Sequence, residues 1–236
     1  SYARGYVGDT GGQFDGVSSG QNLKDDRSAR QLIEEAVRIA QSADYVIFIG
    51  GLNKSGHQDC EDTDRKGLEQ DKVIGALAKV NKNLIVVNIS GNAVAMPWIS
   101  EVPAVIQAWY LGTEAGNAIA SVLVGDVNPS GKLPFTFPEK LEDVGAHQLG
   151  DYPGRQREDG IFDEKYNESI FVGYRWTDKQ KIRPLFPFGH GLGYTTFAYG
   201  KATVNKKVMK IDEQIAITVP ITNTGKRIGS EIVQLY

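Results

Sequence analysis

Apolar residues in this chain recur at helical spacing in one stretch and run unbroken in the next. In "DDRSARQLIEEAVRIAQSA", Leu32, Ile33, Ala36, Val37, Ile39 and Ala40 fall three and four apart, the spacing of one helix face. Asp25 or Asp26 stands ahead of them as the expected cap. "DYVIFIGG" follows, a short continuous apolar run stopped by glycines, the pattern of a strand buried on both faces. The motif then repeats. A helix is expected at "LEQDKVIGALAKV" and strands at "NLIVVNIS" and "PAVIQAWY". A last helix falls at "TEAGNAIASVLVG", with Thr113 as cap and Gly125 as stop. Helix and strand alternating in this way predict an α/β fold, a mostly parallel sheet sandwiched by helices. The glycine-rich residues 1–25 read as loop with a short strand.

The pattern changes after Asp126. Proline, glycine and aromatic residues dominate to about Gly193, with little helical period. From about Thr196 the signal is β, at "ATVNKK", "QIAITVPITN" and "SEIVQLY", with "NTGKRIG" as a turn between the last two. A boundary near residue 197 therefore separates an α/β domain, 1–197, from a small all-β piece, 198–236. That piece offers too few strands for a sandwich of about seven, so it is expected to be the beginning of a domain. The chain starts within the glycine-rich stretch and stops on "EIVQLY", the inside of a strand pattern; both ends read as cuts.

Composition narrows the function classes. The 236 residues are 41% hydrophobic and 23% charged, enough to build a globular core. A net charge of −3 gives no basic surface for nucleic acid or an anionic membrane. The apolar runs are far shorter than the ~20 residues of a membrane helix. Cys60 is the only cysteine, which rules out an internal disulfide and leaves the compartment open.

Candidate chemistry concentrates in "SGHQDCEDTDR". Asp59, Glu61, Asp62 and Asp64 crowd four carboxylates between His57 and Arg65. The segment follows the first expected strand of the sheet, and ligands of open parallel sheets bind beyond the carboxyl ends of the strands. "SGNAVAM" and "YLGTEAGN" should emerge on the same side. Three readings compete. A solvated acidic loop is the plainest. A metal site fits poorly: no glycine stands at the sixth position of a calcium loop counted from Asp59, and His57 and Cys60 lack a second cluster for zinc. The third is a general acid, because neighbouring carboxylates raise one another's pKa and keep one protonated. Arg65 opposes that shift. "GGLNKSG" matches neither phosphate-binding glycine motif, which disfavours a nucleotide binder.

The runs "WYLGTEAGNAIASVLVGDVNPSGKLPFTFP", "YNESIFVGYRW", "PLFPFGHGLGYTTF" and "VPITNTGKRIGSEIVQLY" resemble glycoside hydrolase family 3, the β-glucosidase and β-xylosidase family. The resemblance covers nearly the whole chain from about Ala43. It implies an α/β sandwich domain followed by the start of a fibronectin-III-like domain, with an N-terminal TIM-type barrel that this chain does not contain. It also implies a retaining exo-acting β-glycosidase, foremost a β-glucosidase, acting on β-linked oligosaccharides or glycosides without a cofactor. On the family pattern, "CEDTDR" makes Glu61 the acid/base, with Asp59 and Asp62 as fallbacks and Asp64 and Arg65 matching the pair that follows. His57, Tyr166 and Glu168 are candidates for substrate contact or site support. The nucleophile is expected on the barrel, so the isolated chain is expected to be inactive. The alternative is a non-catalytic carbohydrate-binding or scaffold module of a degenerate member. One departure stands out: the family's Leu-x-Leu-Pro after Asp-Arg is missing from "DRKGLEQDKV". A periplasmic or secreted location follows from the resemblance alone. Trp98 and Trp109 are expected in the core, and His190 at the turn into the last domain.

Overall fold

The computed structural model describes residues 1–6, 13–14, 17–18, 25–51, 70–152 and 154–236. These divide into two compact units, Ser1–Ala115 with Phe135–Pro187 and Gly116–Pro134 with Phe188–Tyr236.

The first unit opens with a two-residue ladder, β1 (Gln13–Phe14) antiparallel to β2 (Val17–Ser18). Helix α1 (Ala29–Gln41) follows and buries Leu32, Ala36 and Ala40. Its cap is Ser28, not Asp25 or Asp26. The Gln31 N–H donates to Ser28 Oγ while the Ser28 N–H donates to Gln31 Oε1 at 2.8 Å, a reciprocal box that satisfies two otherwise free donors. Asp25 is engaged elsewhere. Arg27 and Arg4 pair with its carboxylate at 2.6 and 3.2 Å, and hydrogen bonds from Arg27 hold it well below the usual carboxylate range.

Three parallel strands form the sheet in the order β3 (Val46–Gly51), β4 (Leu84–Ile89), β5 (Ala104–Gln107). The α/β reading with a parallel sheet therefore holds. Helix α2 (Asp71–Val80) connects β3 to β4 and buries Val73, Ile74, Leu77 and Ala78. Asn81, itself buried, donates to the Ala40 and Ala43 carbonyls at 2.9 and 2.7 Å, so one side chain closes the end of α1 and turns the chain into β4. The central strand is the dry one, with Leu84, Val86 and Val87 almost wholly inaccessible. β3 departs from the expectation of two buried faces. Phe48 is buried, but Ile47 and Ile49 on the opposite face are 48% and 51% exposed, because β3 is one of the two outer strands and lacks a cover on that side among the described residues. β5 is shorter than its apolar run, since Trp109 takes a left-handed φ of 57° that a strand cannot continue through.

The rest of the first unit packs around aromatic rings. Phe137 is stacked on Phe135 and meets Trp109 and Phe186 edge-on, and Phe137 and Phe186 exchange backbone hydrogen bonds. Helix α4 (Gly145–Gln148) and α5 (Tyr174–Gln180) flank a ladder of β6 (Arg155–Gln156) and β7 (Phe162–Asp163).

The second unit holds nearly all of helix α3 (Ala115–Val124). Thr113 is not its cap: a 3-10 turn over Gly112–Glu114 runs directly into the helix, so Thr113 already lies within the turn. Gly125, with φ +82°, ends the helix as expected. Two antiparallel ladders follow, β8 (Phe197–Tyr199) with β11 (Ile221–Asn223) and β9 (Thr203–Val204) with β10 (Ile217–Thr218). After β11 the chain turns where "NTGKRIG" predicts, with Asn223 Nδ2 donating to the Arg227 carbonyl at 2.8 Å. Residues 230–236 were expected as a strand but pair with none among the described residues. Alternation alone cannot supply the partner whose backbone groups a strand requires.

Candidate functional site

The carboxyl ends of β3, β4 and β5 lie on one edge of the sheet, because all three strands are parallel and in register, with Gly51 beside Ile89 and Asn88 beside Gln107. That edge is polar inside an otherwise apolar sheet. Asn88 is 1% exposed, and its amide donates to Ser90 Oγ at 2.9 Å and Gln107 Oε1 at 2.7 Å. Gln107 in turn donates to the Ser90 carbonyl at 3.0 Å, and Ser90 to the Asn92 carbonyl at 2.7 Å. This network holds the chain as it leaves β4 through "SGNAVAM". The sequence signal for it was a single amide interrupting each apolar run, Asn88 in "LIVVNIS" and Gln107 in "AVIQAWY".

At β3 the same edge is closed by Gln70. This residue is 4% exposed. Its Nε2 donates to the Gly51 carbonyl at 2.9 Å, and the Gly51 N–H donates to its Oε1 at 2.8 Å. The two glycines ending "VIFIGG" allow the approach. A Cβ at Gly50 would collide with Gln70 Oε1 and the Phe48 ring, and one at Gly51 with the Ile89 carbonyl. Gln70 immediately precedes α2, whose first residue, Asp71, accepts from the Trp98 indole N–H at 2.7 Å. Trp98, 3% exposed, is thus a core residue as expected, and half-buried Trp109 packs edge-on to Phe135 and Phe137.

The segment between these anchors carries the main candidates. His57, Asp59, Glu61, Asp62, Asp64 and Arg65 lie outside the described residues, as does Cys60. The remaining candidates are placed. Tyr166 is 79% exposed. Glu168 is half-buried, with Oε2 out of contact with water and without a hydrogen-bond partner. Both sit on a turn in which the Ser169 N–H donates to the Tyr166 carbonyl at 3.1 Å and Ser169 takes φ +56°. Asp151, 6% exposed, pins that turn by accepting from the Asn167 side chain at 2.7 Å and its backbone N–H at 3.2 Å. No sequence signal marks this role for Asp151, since nothing in "GDYPG" separates it from a turn residue. Further along "YNESIFVGYRW", Trp176 is buried and lines a cavity of about 220 Å³ with Val94, Phe135, Leu141, Val144 and Val172. Its indole N–H has no partner. The Lys179 ammonium lies 3.7 Å from the centre of the Phe171 ring.

Among the described residues no group of three or more His, Cys, Asp or Glu could hold a metal ion, and no helix is long and apolar enough to cross a membrane. In the second unit His190 has its pKa lowered by burial and by the charge of Lys132, and its carbonyl accepts from the Leu133 N–H at 2.8 Å.

Residues 5–194 match the glycosyl hydrolase family 3 C-terminal domain. A beta-glucosidase of Bacteroides ovatus is 53% identical over 211 residues, covering 87% of this chain and 28% of that protein. Thermostable beta-glucosidase B of Acetivibrio thermocellus is 41% identical over 223 residues, 93% of this chain and 28% of that one. Among solved structures, the beta-glucosidase DesR from Streptomyces venezuelae, in complex with D-glucose, superposes with a TM-score of 0.74 at 39% identity. It covers 84% of this chain and 24% of its own. The chain thus spans about a quarter of the length of these relatives.

Proposed function

Because this chain belongs to glycoside hydrolase family 3, we propose that it supplies the acid/base half of a retaining exo-acting β-glucosidase. Glu61 is the proton donor in this reading, with Asp59 and Asp62 the fallbacks and His57, Asp64, Arg65, Tyr166 and Glu168 in support. The nucleophilic carboxylate belongs to an N-terminal barrel domain of the same protein. In the first step Glu61 protonates the glycosidic oxygen as the nucleophile displaces the aglycone. In the second the Glu61 carboxylate takes a proton from the water that cleaves the glycosyl-enzyme. The substrate is a β-linked glucoside or oligosaccharide. Residues 1–197 form the α/β sandwich domain and 198–236 the start of a fibronectin-III-like domain, in a periplasmic or secreted protein.

One observation carries the reading. The segment containing Glu61 leaves the sheet at Gly51 and rejoins it at Gln70, on the carboxyl edge shared with the Asn88–Gln107 network. Ligands of parallel sheets bind at that edge. The beta-glucosidase names of the relatives support the substrate class.

The test is hydrolysis of an aryl β-glucoside by the full-length protein and by its Glu61→Gln variant. Full-length turnover is expected, falling by about 10²–10⁴-fold in the variant, with the isolated chain inactive. Turnover by the isolated chain that Glu61→Gln abolishes, or full-length activity indifferent to Glu61→Gln, overturns the assignment.

A further inference from the structure

We infer that Gln70 is a positioning residue for the acid/base carboxylate: its amide fixes the separation and direction of the two chain ends between which Glu61 is carried. The inference rests on the function proposed above and adds a residue to it. Gln70 offers a donor and an acceptor in one plane, as a peptide group does, and it spends both on Gly51. An ionised carboxylate could not replace it, since Gly51 needs an acceptor for its N–H and a donor for its carbonyl. The clamp is dry. Gln70 is 4% exposed, so loss of the amide strands two buried backbone groups.

The clamp is also built into rigid parts on both sides. Gly51 lies in register with Ile89 of the central strand. Gln70 abuts α2, which is seated by Val73, Ile74 and Leu77 and by the indole hydrogen bond to Asp71. Gly50 lacks the side chain that would push the amide away, and Gly51 lacks one that would strike the Ile89 backbone. A proton donor must meet the leaving oxygen within hydrogen-bond reach, and misplacement by about 1 Å costs on the order of 10²-fold in rate. Gly51 and Gln70 bound residues 52–69, and the clamp fixes the two points from which those residues start and finish.

A residue that merely stabilised the fold would lower every rate alike. A residue that positions the acid lowers rates according to how much each leaving group needs a proton. Dinitrophenolate departs unprotonated and an alkoxide does not. The experiment is therefore Gln70→Met, close in volume and without the amide, in the full-length protein. It compares kcat/KM, which reports cleavage of the glycosidic bond, for an alkyl β-glucoside and for dinitrophenyl β-glucoside.

The alkyl substrate is expected to lose about 10- to 100-fold, while the dinitrophenyl substrate stays within about threefold. For the latter, kcat and KM should fall together, because the same carboxylate serves as base in breakdown of the glycosyl-enzyme, which then accumulates. Dinitrophenyl turnover also verifies folding. Should Gln70→Met not fold, Gln70→Asn, whose amide is one methylene too short, carries the same prediction. Equal losses on both substrates, or no loss on either, overturn the inference while leaving Glu61 in place. A full-length protein indifferent to Glu61→Gln defeats the functional reading first, and this inference with it.

Discussion

The two units of this chain are held by different means. Among the described residues every buried apolar side chain but Ile119 belongs to the first unit. There Leu32, Ile74, Leu84, Val86, Val87 and Phe137 form a dry interior. The second unit is tied by polar side chains reaching backbone. Asn128 accepts from the Tyr194 N–H at 2.6 Å and donates to the Ile228 carbonyl at 2.9 Å. The Tyr194 hydroxyl donates to the Val122 carbonyl, Arg227 to that of Gly125 and Lys132 to that of Gly191. Lys132 also pairs with Glu231 at 3.3 Å. Each such bond contributes only about 0.5–1.5 kcal/mol net, and two-stranded ladders are marginal without a layer to cover them. Burial gives the first unit its stability. Directional bonds give the second its geometry, with much of its apolar surface left open, as at Ile211, Ile228 and Leu235.

Mutations can break this contrast. Phe137→Ala should have the largest effect, about 3–5 kcal/mol, because it removes a ring that is 1% exposed and touches three others. Urea unfolding of the purified protein checks it, and a loss under about 1 kcal/mol would show the aromatic cluster to be soft. In the second unit Ile217→Ala, at a strand position 41% exposed, should cost no more than about 0.5–1 kcal/mol by the same measurement. A loss as large as that at Phe137 would mean that a covering layer lies over β10.

The smallest effect expected is one of pH. Burial and Lys132 lower the His190 pKa, so the folded state prefers the neutral ring. Its contribution is then present in full above the unfolded value of ~6.5 and is lost as pH falls from there through the folded value. His190→Gln should flatten that part of the stability-pH profile. An unchanged profile would show that His190 is as solvated folded as unfolded.

Much of the first unit was legible because its signals were redundant. α2 and β4 each combine strong periodicity or an unbroken apolar run with a clear stop, and both lie where expected. Errors arose where several residues could do the same work. Asp25, Asp26 and Ser28 are all competent caps, and only the reciprocal bond with Gln31 favours Ser28. An apolar run does not reveal whether its strand is central or outermost, so the open face at Ile47 and Ile49 was invisible. Of the candidate site, the sheet edge at which the acidic segment begins was legible and the carboxylates themselves lie outside the described residues, while Tyr166 and Glu168 fall on a turn whose anchor, Asp151, is a contact between distant positions. Gln70 went unnoticed for a related reason. Its role depends on a glycine pair nineteen positions earlier, and no local pattern joins them.

The close fit at Gly51 has a practical side. Anyone diversifying this protein for new specificity will be drawn to the residues bordering the acidic segment, and a saturation library at position 51 should return glycine almost alone. Variation belongs further from that point, where a new side chain has room.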